Sequence, residues 1–153
     1  MKLCQLQEAI PGRTISSTEP LTISFIDPEE NWEEAEQVEI IAKKVGIRIG
    51  LKPIQIIAMV GDKVVGGVAC YEHSNEEEGH TLNCDVVVDP QWQGYQRAGF
   101  QLIEAAISYA RDLGAHTFEA LVVNTRLARI LVDKYGFDGE LYDGRPSMLY
   151  KYL

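Results

Sequence analysis

Apolar residues recur along this chain with two different spacings, and the change between them separates strands from helices. Polar and apolar residues alternate from Thr22 to Ile26, which predicts a first strand. Runs rich in valine and isoleucine predict further strands, because branched side chains suit the pleated backbone. These strands are Ile54 to Val60, Val64 to Tyr71, Thr81 to Val88, His116 to Val123, Phe137 to Tyr142 and Ser147 to Leu153.

Three other segments place their apolar residues at helical spacing. In the first, Asn31 and Glu34 resemble a capping box, and Gly46 is a plausible stop. Residues 47–52 are compatible with a second short helix or with an irregular segment. The three predicted helices are Asn31 to Gly46, Ala98 to Leu113 and Asn124 to Gly136.

The order of these elements predicts a single α/β domain over 1–153, with a loosely structured lead-in at 1–20. Residues 61–63 have the length and chemistry of a hairpin turn, and residues 74–79 form a polar loop. The strand that starts at Thr81 is followed by a helix and another strand, a crossover that makes the two strands parallel. We therefore expect a mixed, mostly antiparallel sheet of six to seven strands, helices on both faces, and a splay between strands four and five.

The junction between the fourth strand and the second helix carries the clearest chemical signal. The strand ends at Asp89-Pro90, and a short loop with Gly94 and Gly99 leads into the helix. The first N–H groups of a helix have no partner within it, and the helix dipole adds positive charge there. This arrangement favours a phosphate-bearing ligand.

Composition removes several classes of partner. The chain has 153 residues and a formal net charge of −9, with lysine and arginine scattered, so nucleic acid is not expected. No apolar run approaches the roughly 20 residues that span a bilayer, and the N-terminus lacks the apolar stretch of a signal peptide. We expect a cytoplasmic protein without a membrane partner.

Cysteine and histidine do not indicate a metal site. Cys4, Cys70 and Cys84 form no CxxC pair, and their odd number argues against a disulfide framework. His73, His80 and Cys84 do not reproduce a known ligand spacing. We expect buried, inert thiols at Cys70 and Cys84 and no metal.

Three segments resemble the GNAT superfamily of acyl-CoA-dependent N-acetyltransferases. They are VGDKVVGGVACY at 60–71, VVVDPQWQGYQRAG at 86–99 and NTRLARILVDKYGF at 124–137. They are similar to the second and third strands, the fourth strand with its pyrophosphate loop, and the last helix before a Gly-Phe pair. The resemblance covers residues 22–153 in element order and implies acetyl-CoA as co-substrate.

The loop departs from the family pattern at one small position. In one register Gln93 and Ala98 match the pattern, while Gln96 stands where glycine is usual. The alternative register, 96–101, supplies Gly99 but places Gln101 at the last small position. A glutamine there either narrows the pocket or changes the turn, because glycine permits close approach and positive φ.

The resemblance implies where acetyl-CoA would lie. The pantetheine arm would pair with strand four, the pyrophosphate would lie on the loop, and an asparagine after strand five would contact the arm or cap the last helix. The implied cofactor-binding residues are Val86, Val87, Val88, Gln93, Gly94, Tyr95, Gln96, Arg97, Ala98, Gly99 and Asn124.

Catalytic groups are harder to assign. The family often uses a tyrosine of the last helix as the acid, but that position is Val132 or Leu131 here, so Tyr135 is the nearest substitute. A base is needed because an ammonium has no lone pair for attack. The candidate bases are Asp85 within strand four, and Glu72 and His80 acting through water.

Two functions from different classes remain open. The first is acetyl transfer to a primary amine of a small molecule or a protein. The alternative is a catalytically weak or inactive binding, regulatory or accessory protein with the same fold. A homodimer is possible through residues 148–153 of the last strand.

Overall fold

Six strands form one sheet in which spatial neighbours are also neighbours in sequence. A computed structural model of the chain describes residues 18–77 and 79–153, so most of the predicted lead-in lies outside the described residues. In the described chain β4 and β5 are parallel and the other adjacent pairs are antiparallel. The strands are β1 (Leu21–Phe25), β2 (Ile54–Val60), β3 (Lys63–Asn75), β4 (Gly79–Val88), β5 (Thr117–Val122) and β6 (Ser147–Tyr152).

Three helices of the described residues cover the two faces of this sheet. They are α1 (Trp32–Val45), α2 (Ala98–Asp112) and α3 (Thr125–Tyr135), and two 3-10 turns, Pro90–Trp92 and Tyr95–Arg97, lie before α2. These elements confirm the predicted mixed fold with helices on both faces. No helix among the described residues is long and apolar enough to cross a membrane.

The α1 helix packs on one face because its apolar residues recur every three or four positions. Val38 and Ile41 are buried with Ile57 of β2 and Val87 of β4. A Cβ on Gly67 of β3 would lie 2.7 Å from the Val38 side chain, so glycine is what lets the helix approach the sheet.

The other face carries α2 and α3 and the larger part of the core. Leu102 of α2 and Leu131 of α3 are buried against Phe118 of β5 and Leu149 of β6. Cys70 and Cys84 are buried free thiols on this face, and burial raises the pKa of Cys84 well above its usual range, which agrees with the expected inert thiols.

Two predicted loop and strand boundaries are wrong. The polar segment predicted as a loop at 74–79 is shorter than predicted, because the β3–β4 ladder continues to Asn75↔Gly79, and 76 and 77 form a turn. The strand predicted from Phe137 to Tyr142 is reduced to a single bridge, Asp138↔Tyr150, so the sheet has six strands. Gly139 there has φ 138°, and a Cβ would meet the Met148 carbonyl at 2.5 Å, so the backbone leaves the extended path.

The predicted capping box at α1 is also wrong. Asn31 makes no side-chain bond to the first turn, and its Oδ1 instead accepts from the Asp27 N–H at 3.2 Å. Residues 47–52, left open by the sequence, form an irregular loop between α1 and β2. This loop brings Lys52 over the sheet, where its amine lies 3.1 Å from Asp85 Oδ1.

Candidate functional site

The sheet opens where its two parallel strands part. The β4–β5 ladder ends at Val86↔Val122, while β4 continues to Val88 alongside β3 alone. A pocket of about 480 Å³ lies at this opening. It is lined by Val45, Val86, Val88, Gln93, Gly94, Arg97, Ala98, Gly99, Phe100, Val122, Val123, Asn124, Arg126, Leu127 and Ile130.

The pocket reaches both faces of the sheet. Val86, Val122 and Leu127 belong to the core on the α2 and α3 side. Val45 and Val123 pack instead with the core under α1. A ligand that enters from the α2 side can therefore pass between the strands toward the α1 side.

The pocket lining is cationic although the chain is acidic. Arg97 and Arg126 line it, and the lining residues that the structure describes include no carboxylate. Arg97 also lies over the Phe100 ring, 4.5 Å from its centroid. Together with the first turn of α2, these side chains provide an environment for phosphate oxygens.

The loop before α2 turns through left-handed backbone. Gly94, Gln96 and Arg97 have φ of 83°, 45° and 58°. Positive φ is unfavourable for residues other than glycine and costs on the order of 1 kcal/mol or more. Gln96, which replaces the expected glycine, therefore adopts the conformation that glycine would have taken.

Gln96 is held in that conformation by strand β1. Its Oε1 accepts from the Leu21 N–H at 2.8 Å, and its Nε2 donates to the Glu19 carbonyl at 2.9 Å. The side chain thus points toward β1 and is not among the pocket-lining residues. With glutamine in place of the expected glycine, hydrogen bonds to the β1 segment hold the turn, and this side chain does not enter the pocket.

Asn124 connects the pocket to the last helix. Its Oδ1 accepts from the Leu127 N–H at 2.9 Å and caps α3, as the sequence predicts. Its Nδ2 donates to Gln93 Oε1 at 3.2 Å, which fixes one side of the loop. Asn124 therefore caps α3 and also lines the pocket.

Most of the implied cofactor-binding residues meet at this pocket. Three do not line it: Val87 is buried against α1, Tyr95 donates its hydroxyl to the Glu19 carbonyl, and Gln96 bonds β1. The eight that line it are Val86, Val88, Gln93, Gly94, Arg97, Ala98, Gly99 and Asn124.

Asp85 is a buried carboxylate on the α1 side of β4. Its side chain is 2% exposed, and its register partner Ala69 belongs to the core under α1. Oδ1 lies 3.1 Å from Lys52 Nζ, whereas Oδ2 is buried and has no hydrogen-bond partner among the described residues. Burial raises the pKa of Asp85, and the Lys52 ammonium opposes this rise.

A chain of polar contacts extends from Asp85 across the sheet. Lys52 Nζ also donates to Asn83 Oδ1 at 2.6 Å, and Asn83 Nδ2 donates to Glu119 Oε1 at 3.2 Å. The same Glu119 oxygen lies 3.4 Å from His73 Nε2. These side chains form a polar floor on the part of this face beside α1.

The other candidate catalytic residues lie elsewhere. Glu72 and His80 pair with each other at 2.8 Å. Their positions along β3 and β4 place both side chains on the α2 side of the sheet, on the face opposite Asp85. The Tyr135 ring packs against Phe100 at a tilt of 51°, with 4.7 Å between ring centroids, and does not line the pocket. Its observed role is therefore packing.

Sequence analysis missed several residues of the site. Lys52 and Asn83 carry no motif, and Arg126 follows the Asn124 cap without a distinct signal. Strand parity offered one clue, since Asn83 and Asp85 are two residues apart and so share a face. Lys52 lies in an irregular loop that has no hydrophobic periodicity, so the sequence gives no sign of its contact with Asp85.

Comparison with known proteins gives a consistent result. Residues 19–137 match the model of the acetyltransferase (GNAT) family. No curated protein matches the chain by sequence.

Solved structures share the fold at low identity. Ard1 from Thermoplasma volcanium is 17% identical, with a TM-score of 0.63 over 87% of this chain and 97% of that one. yncA from Salmonella typhimurium, solved with its cofactor acetyl-CoA, is 18% identical, with a TM-score of 0.59 over 87% of this chain and 94% of that one. The polyamine N-acetyltransferase of Drosophila melanogaster is 14% identical, with a TM-score of 0.63 over 88% of this chain and 100% of that one.

Proposed function

Because the chain belongs to the acetyltransferase (GNAT) family, we propose that it transfers an acetyl group from acetyl-CoA to a primary amine of a small molecule or a protein. The observation that carries the proposal is the pocket between the parted strands. Its lining holds Arg97 and Arg126 together with mostly apolar side chains. Such a pocket suits a ligand with a phosphate head and a long uncharged arm.

The residues present fit acetyl-CoA in three ways. Arg97, Arg126 and the first turn of α2 would bind its phosphates. Val86 is the last β4 residue paired with β5, and beyond it the edge of β4 at Val87 and Val88 would pair with the pantetheine arm as a short added strand does. Acetyl-CoA supplies the acetyl thioester as the electrophile.

Strand geometry supports the Val88 N–H as a hydrogen-bond donor to the bound arm. The Asp89 N–H donates to the Val65 carbonyl of β3, and successive N–H groups of a strand point to opposite edges. The Val88 N–H therefore points to the edge where β5 has ended. A backbone donor there would bind a carbonyl of the pantetheine arm.

Asp85 is the base that the geometry favours. The attacking amine must lose a proton, and Asp85 is a buried carboxylate with one unpartnered oxygen, one residue from the pocket-lining Val86. Its raised pKa makes it a stronger base than an ordinary carboxylate. Glu72 and His80 are less suited because they lie on the opposite face.

The acceptor would approach over the α1 side of β4 and β5. The floor there carries Glu119, His73 and Asn83, and the exposed rings of Tyr71 and Tyr150 lie on the same strand faces. Carboxylates beside aromatic rings suit a cationic acceptor. The polyamine N-acetyltransferase among the similar structures agrees with this preference.

Thermal unfolding with acetyl-CoA tests the first half of the proposal. A ligand at about 100 times its Kd stabilises a protein by about 2.7 kcal/mol, so the Tm should rise. The double variant R97E/R126E should lose this rise, whereas R111E, at the exposed far end of α2, should keep it. Absence of any rise in the wild-type protein contradicts the proposal.

Thiol release with a panel of amines tests the second half. We expect release to depend on both acetyl-CoA and the amine, with diamines and lysine peptides preferred over neutral or acidic amines. A Tm rise without thiol release for any amine would favour the alternative of a protein that binds acetyl-CoA without turnover.

A further inference from the structure

Two lysines of this protein hold their amines against buried carboxylates at one end of the sheet. Lys44 Nζ lies 3.2 Å from Asp89 Oδ2, and Lys52 Nζ lies 3.1 Å from Asp85 Oδ1. Lys44 lies in α1 and Lys52 in the loop that follows it. Asp85 lies in β4, and Asp89 directly follows that strand. The two amines are therefore chemically alike and differ in their surroundings.

The Lys52 amine occupies the place where an acceptor amine is expected. Asn83 Oδ1 and Asp85 Oδ1 both accept from it, and 27% of its side chain is exposed. An incoming primary ammonium would find the same two oxygens. Lys52 is thus a tethered primary amine, held by the group that would deprotonate an external acceptor.

Two residues adjacent to this ion pair or its loop connect it with the pocket. Val45, the last residue of α1, lines the pocket on the α1 side, and the loop with Lys52 begins immediately after it. Asp85 directly precedes the pocket-lining Val86, and its side chain lies on the same side of the sheet as Val45. A thioester carbonyl at the inner end of the pocket would lie near Asp85.

We propose that Lys52 is itself an acetyl acceptor and is acetylated within the same molecule when acetyl-CoA is bound. This inference rests on the proposed function. The Lys52 ammonium gives a proton to the Asp85 carboxylate, and the free amine forms an N–C bond to the thioester carbonyl. The C–S bond then breaks, the thiolate leaves and takes up the remaining amine proton, and Asp85 returns its proton to solvent. The products are acetyl-Lys52 and free CoA.

Lys44 provides a matched internal control. Both oxygens of Asp89 have partners, since Oδ1 accepts from the Gln91 N–H and Oδ2 from Lys44. Asp89 therefore has no oxygen without a partner, unlike Asp85. Lys44 is also the more exposed amine, with 51% of its side chain accessible, so simple chemical acetylation would favour it.

Mass spectrometry of the intact and digested protein tests the proposal. On incubation with acetyl-CoA at pH 7.5 without an added amine, we expect one acetyl group to appear at Lys52 at least about 100-fold faster than at Lys44, the scale of a positioned base. The rate should be independent of protein concentration. It should fall by about 100-fold in D85N, and an amine that the enzyme acetylates should slow it.

Each other outcome overturns the inference. Equal acetylation of Lys52 and Lys44, a rate that rises with protein concentration, or an undiminished rate in D85N would mean chemical or intermolecular modification. Unmodified Lys52 in a protein whose Tm rises with acetyl-CoA would refute Lys52 as acceptor while leaving the proposed function intact. No Tm rise would instead place the failure in the proposed function.

Discussion

Asp85 and Asp89 are two buried carboxylates on one strand and its exit, and each faces a lysine. Asp89 is 5% exposed and Asp85 is 2% exposed. At Asp89 both oxygens are hydrogen bonded, one by the Gln91 N–H that it caps and one by Lys44. At Asp85 one oxygen is bonded by Lys52 and the other is orphaned within the described part of the chain.

This difference separates a structural carboxylate from a candidate reactive one. A buried polar atom without a partner costs about 1–3 kcal/mol, so a protein retains one only where something else requires it. Asp89 avoids this cost because both of its oxygens have partners, and its bond to the Gln91 N–H shapes the turn that follows β4. Asp85 leaves an acceptor free at the place where the strands part, which is what a proton-accepting group needs.

Removal of each charge in turn gives the largest expected contrast. D85N should lower the rate of amine-dependent thiol release by about 100- to 1,000-fold, because a positioned base contributes about that much. D89N, whose amide can still cap the turn, should change the rate by less than about 10-fold. Steady-state kinetics at saturating acetyl-CoA measures both, with the Tm rise as a check that D85N still binds. Similar losses in the two variants would end the distinction.

The two lysines should contribute unequally to stability. K52M leaves a buried carboxylate without its ion partner and should lower the free energy of unfolding by about 2 kcal/mol. K44M removes a half-exposed partner from a carboxylate that keeps its backbone bond, and should cost less than about 1 kcal/mol. Urea unfolding at pH 7 measures both values. A larger loss in K44M would show that Asp89 depends more on its lysine than Asp85 does.

The pH dependence of stability gives the smallest but most specific effect. Burial raises the pKa of Asp85 in the folded protein, so the folded state holds that proton more tightly than the unfolded chain does. The Asp85 contribution to stability therefore falls as pH rises from the unfolded-state pKa, about 3.9, through the raised folded pKa, and is constant above it.

The D85N variant lacks this pH-dependent contribution of Asp85 to stability. The stability of D85N relative to the wild-type protein should increase with pH across that window and then level off. In K52M the window should extend to higher pH, because the opposing ammonium is gone while Glu119, with His73 and Asn83 beside it, remains on the same face. Urea titrations at several pH values measure both curves, and a flat difference between D85N and wild type would contradict the raised pKa.

Much of the fold was predictable because it depends on periodicity. Strand alternation and helical spacing located the elements, and the crossover after Thr81 fixed the parallel pair. The strand proposed at 137–142 failed because glycine conformation and a backbone contact to β6, which periodicity does not encode, bend that segment away.

The site was predictable in part, for different physical reasons. Asp85 was identified because a carboxylate within an apolar strand is costly. His80 could have been placed on the opposite face by parity, since it lies five residues before Asp85 on the same strand. Lys52 could not, because its bond to Asp85 depends on how an irregular loop folds over the sheet.

The amide contact between Gln96 and the edge strand makes one backbone proton a reporter of the whole loop. The Leu21 N–H is bonded to the Gln96 side chain, far away in sequence. That proton can exchange with deuterated solvent only when its hydrogen bond to Gln96 breaks. The bond breaks only when the left-handed turn at Gln96 relaxes. Any molecule that holds the turn closed will slow deuterium uptake at Leu21, a residue that it never touches.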